Sequence, residues 1–193
     1  MAAPATKRAT YADLEAVPSH YVAEIIRGTL HVHPRPSPKH ARAGSMLGGV
    51  LSGPFDRGID GPGGWWILDE PELHLLQGEE VLVPDIAGWR VERMPELPET
   101  AYFSIPPDWV CEVLSPSTAA IDRVDKMPIY AEAGVDHAWL VDPILQTVEV
   151  FRREGSQRLL LRTFKGDRAI RAEPFEAIEI PLGALWGAPV RKG

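Results

Sequence analysis

A single cysteine, Cys111, stands among 193 residues, so no internal disulfide can form and no Cys-rich zinc site can be built. A reducing, cytoplasmic compartment is the expectation. Long apolar runs are missing too. No stretch approaches the roughly 20 apolar residues of a membrane span, and Met1 to Arg8, Ala/Pro-rich and then basic, is followed by no apolar signal core. Neither export nor membrane insertion is expected. Zinc-finger spacing, a Walker loop, a dinucleotide fingerprint and internal repeats are all absent from the sequence. Positive charge is in the minority, with Lys+Arg 20 against Asp+Glu 27 and a formal charge of -7. That balance argues against a general nucleic-acid coat protein, but not against a metal-dependent nuclease, which clusters carboxylates at its site and needs only a local basic surface.

What is present is ordinary globular usage, 45% hydrophobic and 24% charged, enough for a buried core in one domain over 1–193. Gly 17 and Pro 19 favour many turns and short elements over a helical bundle. Thr10 caps a short helix to Ala16, and Tyr21 to Arg27 with Thr29 to His33 reads as a hairpin about Arg27-Gly28. Ser37-Pro38 opens a helix to about Leu51, and Gly53 to Gly64 reads as an exposed loop. Trp65 to Leu68, Glu72 to Leu76 and Val81 to Arg90 then read as a strand meander, and Met94 to Pro107 as a loop. Trp109 to Leu114 suits a strand buried on both faces. A helix over Asp122 to Ala133 stops at Gly134, and His137 to Val141, Thr147 to Arg152 and Arg158 to Phe164 return to strand. The expected fold class is α+β (α/β): a central mixed sheet flanked by helices, with an N-terminal hairpin and an antiparallel C-terminal extension.

The informative residues are acids inside apolar strands, because a buried charge is costly unless it is paired or coordinates a metal. Counting with the strand period of two puts Asp85 on the face of Val81, Val83 and Ala87, and Glu112 on the face of Val110 and Leu114. Two carboxylates from neighbouring strands make a hard-oxygen site for Mg²⁺ or Mn²⁺, suited to phosphodiester hydrolysis. A lysine nearby would stabilise the pentavalent charge. Lys126 is the candidate, because Asp122, Lys126 and Tyr130 lie at i, i+4 and i+8 on one helix face just after the Glu112 strand.

Ala23-Glu24-Ile25-Ile26-Arg27-Gly28-Thr29-Leu30, Ser37-Pro38-Lys39-His40, Val83-Pro84-Asp85, Glu112-Val113-Leu114-Ser115-Pro116-Ser117-Thr118, the Asp122, Lys126, Tyr130 spacing, Gly134-Val135 and Trp139-Leu140-Val141-Asp142 together resemble the bacterial restriction-endonuclease-like proteins of the Uma type, in the PD-(D/E)XK nuclease superfamily. The resemblance implies a restriction-endonuclease-like sheet, Asp85 and Glu112 as metal ligands, Glu24 as an additional acid, and Mg²⁺-dependent cleavage of DNA. The superfamily's usual lysine, two residues after the second acid, is Leu114 here. Similar families supply it from the following helix, where Lys126 stands.

Blander readings accompany each residue. Pro84-Asp85 is a common turn dipeptide, Glu112 could pair internally with Arg90 or Arg123, and Glu24 could face solvent. His40 could donate to phosphate or only cap its helix. Arg123 and Tyr130 join His40 as expected nucleic-acid contacts, although Tyr130 also suits packing with a polar tip. His31 and His33 read as an exposed edge strand, Cys111 as a buried thiol, and the basic stretch Arg152 to Arg171 as either a phosphate surface or a solvated hairpin. Trp65-Trp66 and Trp186 allow a homodimer contact. The leading expectation is a Mg²⁺-dependent (or Mn²⁺-dependent) DNA endonuclease; the alternative is a nuclease-fold module that binds nucleic acid or a protein without efficient cleavage.

Overall fold

Thr10 closes a capping box with Asp13 and starts α1 (Tyr11–Glu15), close to the beginning of residues 7–187, the part of the chain that the computed structural model describes. Met1 to Thr6, the Ala/Pro-rich start, lies outside the described residues. β1 (Val22–Ile26) and β2 (Thr29–His33) form the expected antiparallel hairpin. Its turn has φ 51 at Arg27 and 76 at Gly28, the left-handed pair that suits the twist of a two-residue hairpin. Ser37 caps α2 (Pro38–Leu51), which runs on through a wider turn, Ser52–Asp56, that buries Phe55. The exposed Gly/Pro loop therefore begins later than its first glycine suggests.

The next segment departs from a meander. β3 (Trp65–Asp69), β4 (Leu73–Leu75), β5 (Glu80–Leu82) and β6 (Ile86–Arg90) do not follow one another in one sheet; β4 pairs with its neighbour β5, but β3 pairs with β6 in the other sheet. Val81 to Arg90 is not one strand, because Pro84 offers no N–H to a ladder. The chain leaves one sheet before it and enters another after it. Consequently the period-two count across Pro84 does not hold, and Asp85 sits in the bend between β5 and β6.

β7 (Trp109–Val113) is buried at every position. α3 (Ala119–Ile121), a wider turn Asp122–Lys126 and α4 (Met127–Glu132) form one helical segment that starts earlier than the sequence suggests, and Gly134, at φ +87, lets the chain turn away. β8 (His137–Asp142), β9 (Thr147–Glu154) and β10 (Gln157–Lys165) follow. A six-stranded sheet has the order β10-β9-β8-β7-β6-β3, and a four-stranded sheet the order β2-β1-β5-β4. β7 and β8 run parallel while the other pairs in the larger sheet are antiparallel. The parallel pair needs a crossover, which the α3–α4 segment supplies. This is the expected mixed α+β architecture with a hairpin and an antiparallel extension.

Trp109, Cys111 and Val113 pack on α2 through Leu47 and Leu51. Val110 and Leu114 face the other way, into a cluster that also contains Ile26 and Leu82 of the small sheet and Ile129 and Tyr130 of α4. Arg27 braces that packing by pairing bidentately with Glu132, at 3.0 and 2.7 Å, so the hairpin carrying Glu24 is tied to the helix carrying Lys126. The tryptophans read as dimer contacts are engaged within the fold: Trp65 is buried, Trp66 donates to the Met94 carbonyl, and Trp186 to the Gly166 carbonyl. Several arginines of the basic stretch are occupied as well, Arg153 by Asp136 and Arg152 by Glu173. Among the described residues no helix is long and apolar enough to cross a membrane.

Candidate active site

Beyond the carboxyl end of β7 lies a cavity of about 340 Å³ onto which Glu24, His40, Asp85, Glu112, Asp122 and Lys126 all open. They come from separate pieces of chain. β1 delivers Glu24, the first turn of α2 delivers His40, and the bend after Pro84 delivers Asp85. β7 delivers Glu112, and the wide helical turn delivers Asp122 and Lys126. A turn wider than an α-helical one places residues four apart more nearly in line, which lets Asp122 and Lys126 face the same point.

Lys126 is the hub. Its Nζ lies 2.8 Å from Glu24 Oε1, 2.9 Å from Glu112 Oε1 and 3.6 Å from Asp122 Oδ1, with the side chain only 3% exposed. Burial pulls the ammonium down, but the attraction of Glu112 and Glu24 outweighs it, and the Lys126 pKa stands well above the usual lysine value. The group is therefore a fixed positive charge. Burial pushes the Glu112 carboxyl well up, with Lys126 pulling against it. Tyr130, wholly buried, donates its hydroxyl to the same Glu112 oxygen at 2.5 Å, and two donors on one oxygen favour the ionised form. Glu24 Oε1 also accepts from the Val83 amide at 2.8 Å.

Asp85 differs. Its Oδ2 accepts from the Val113 amide at 2.7 Å, and Oδ1 has His40 Nε2 at 3.3 Å, with a fifth of the side chain open. Burial is the main cause that lifts its pKa to about 7. Burial also lowers the pKa of His40, so its imidazole is neutral at physiological pH.

Hard-cation chemistry fits this donor set. No described residue hydrogen-bonds Glu112 Oε2, and Asp85 Oδ1 has only the imidazole near it. No three His, Cys, Asp or Glu among the described residues surround one point as a closed metal cage would. Two carboxylates with the remaining positions left to water and phosphate oxygens is the arrangement that suits Mg²⁺.

The expected Glu24, Asp85, Glu112, Lys126 and His40 thus come together, whereas two expected nucleic-acid contacts do not reach the cavity surface. Arg123 points away and pairs with Glu149 at 2.6 and 3.2 Å. Tyr130 is sealed behind Glu112 and orients that carboxylate instead. Glu112 does not pair with Arg90 or Arg123, and Leu114, 3% exposed, is core. His33 is not the exposed edge residue that its strand suggests but lines the cavity, its Nε2 3.8 Å from Glu24 Oε2. Hairpin arithmetic contains that signal: Glu24 pairs with His31 and Val22 with His33, so all four side chains share one face. Glu70, also on the wall, has no such signature.

The crystal structure of a putative nuclease belonging to DUF820 from Anabaena variabilis ATCC 29413 superposes with a TM-score of 0.73 over 93% of this chain and 98% of that one. At 23% identity the likeness is one of fold. No curated protein matches the chain. The model of the Uma2 family, described as "Putative restriction endonuclease", matches residues 8–183. That match runs from just before α1 into the last short helix at Leu182–Leu185, and the chain belongs to the Uma2 family.

Proposed function

We propose that the protein is a Mg²⁺-dependent or Mn²⁺-dependent endonuclease acting on DNA, with Asp85 and Glu112 as the metal ligands. The observation that carries this reading is the convergence of Glu24, Asp85, Glu112 and Lys126 from separate elements on one cavity. A divalent ion held there would polarise the scissile phosphate and lower the pKa of the attacking water. The chain's own part is preorganisation. Lys126 and Tyr130 fix Glu112 in one orientation, Glu24 holds the far side of the ammonium, and the Val113 amide fixes Asp85. Lys126 stands where Leu114 cannot serve, and its ammonium, held by Glu24 and Glu112, contributes positive potential to a phosphate gaining charge in the transition state. His40, neutral beside Asp85, presents its imidazole at the cavity wall.

Cleavage of supercoiled DNA with Mg²⁺ or Mn²⁺, lost in EDTA and lowered by at least about 100-fold in Glu112→Gln, is the expected result. A second reading, a nuclease-fold module that binds without cutting, is favoured by Leu114 at the superfamily's lysine position. Retained DNA binding by a parent protein that cuts with neither ion would select it.

A further inference from the structure

The cavity wall carries five carboxylates, Glu24, Glu70, Asp85, Glu112 and Asp122, against two cations, Lys126 and Arg35. Lys126 is buried and committed to three of those acids. Arg35 is not. Its side chain is 62% exposed, and its Nη1 lies 3.7 Å from Glu70 Oε2, a long contact to an acid that is itself 44% exposed. Its other polar contact is Nη2 to the Ser19 carbonyl at 3.4 Å. Exposed pairs of this kind stabilise little and exchange partners at small cost. Pro34 and Pro36 restrict the backbone on either side of Arg35, so the guanidinium is presented from a stiff loop.

Arg35 also stands at a junction. A second cavity of about 480 Å³, lined by Tyr11, Leu14, Tyr21 and the acids Glu15 and Glu72, shares Val22, Arg35, Glu70 and Val83 with the first; among the described residues on its wall Arg35 alone carries a positive charge to offset those acids. A strand of nucleic acid running from one cavity into the other passes this guanidinium, whose planar fork matches a phosphate oxygen pair.

Building on the nuclease reading, we infer that Arg35 grips a backbone phosphate next to the scissile one, exchanging Glu70 for the phosphate when substrate enters. Glu70 then acts as a competing anion that holds the guanidinium in place between substrates and opposes binding.

The test is fluorescence anisotropy of a labelled single-stranded oligonucleotide with Ca²⁺ over a series of NaCl concentrations, alongside cleavage kinetics with Mn²⁺. Arg35→Ala should weaken binding about tenfold and reduce the slope of log affinity against log salt by about 0.7. Arg35→Lys should restore the slope, and Glu70→Gln should tighten binding. In cleavage, Arg35→Ala should raise KM and leave kcat near the parent value. Unchanged affinity and slope in Arg35→Ala, in a parent that binds and cuts, would overturn the inference and leave the nuclease reading standing. A loss that Arg35→Lys does not recover would assign Arg35 to holding the loop at Ser19, and would also overturn it. A parent that neither binds nor cuts would remove both readings.

Discussion

Tyr130 and Lys126 converge on one atom, Oε1 of Glu112, the first through its hydroxyl and the second through its ammonium. The carboxylate is thereby held by two residues of one helical segment, a turn apart, and its other oxygen is left toward the cavity. Stability and function are coupled at that point, and the coupling can be measured.

Lys126→Met should destabilise the protein by about 3–5 kcal/mol, because Glu24 and Glu112 are then left buried without a counter-charge. Urea unfolding gives the number. The triple variant Lys126→Met, Glu24→Gln, Glu112→Gln should regain most of it. If the single variant were as stable as the parent, the ammonium would not be neutralising those acids.

Mn²⁺ should raise the melting temperature, because an ion that binds only the folded state stabilises it by mass action. Glu112→Gln should abolish the rise. Tyr130→Phe should keep it, at a cost of about 1–3 kcal/mol for the lost hydrogen bond to a charged group, because the hydroxyl positions the carboxylate without contacting the ion. Scanning calorimetry with EDTA and with Mn²⁺ separates the two effects.

Asp85 sets a pH dependence with a definite sign. Its carboxyl titrates near 7 when folded against a reference value of 3.8, so the folded state binds the proton more tightly. This group's contribution therefore favours folding at low pH and is lost as pH rises from about 4 through 7, at no more than about 1.4 kcal/mol per pH unit. Asp85→Asn should lose less stability than the parent between about pH 4 and about pH 7 in EDTA. Affinity for Mn²⁺ should move the opposite way in the parent, weakening below about pH 7 as protons compete for the same oxygen. An identical pH response in Asp85→Asn would remove Asp85 as its source.

Leu114→Lys should be tolerated better without Lys126 than with it. Position 114 lies on the face of Glu112, so a lysine there meets an acid already paired in the parent and unpaired in Lys126→Met. A double-mutant cycle in urea should return a favourable coupling of about 0.5–3 kcal/mol. Simple additivity would show that residue 114 does not reach Glu112.

The elements were readable wherever a local signal exists. Thr10, Ser37-Pro38, Arg27-Gly28 and Gly134 mark their boundaries through capping and turn chemistry that needs no distant partner. Glu112 was readable because a lone acid in an apolar strand breaks the pattern. Pairing was not readable. Pro84 marks a break between β5 and β6, but nothing local says that they belong to different sheets, and that division puts Asp85 in a bend and not on a strand face. Burial of the helix face was equally hidden: Tyr130 and Arg123 lie on one short segment, yet one ends sealed behind Glu112 and the other beside Glu149, according to which side the small sheet covers.

The main chain holds reporters of this site as well. The amide of Val83 donates to Glu24 and the amide of Val113 to Asp85, at 2.8 and 2.7 Å. Each proton lies against a carboxylate oxygen, so its nuclear magnetic resonance frequency follows the charge on that oxygen. Titrating Mn²⁺'s diamagnetic counterpart Mg²⁺ into isotope-labelled protein should therefore move the Val113 resonance through Asp85. Val83 should move less, because Glu24 faces the ammonium and not the proposed ion. The two signals register occupancy of the cavity with no substrate present and no bond cut.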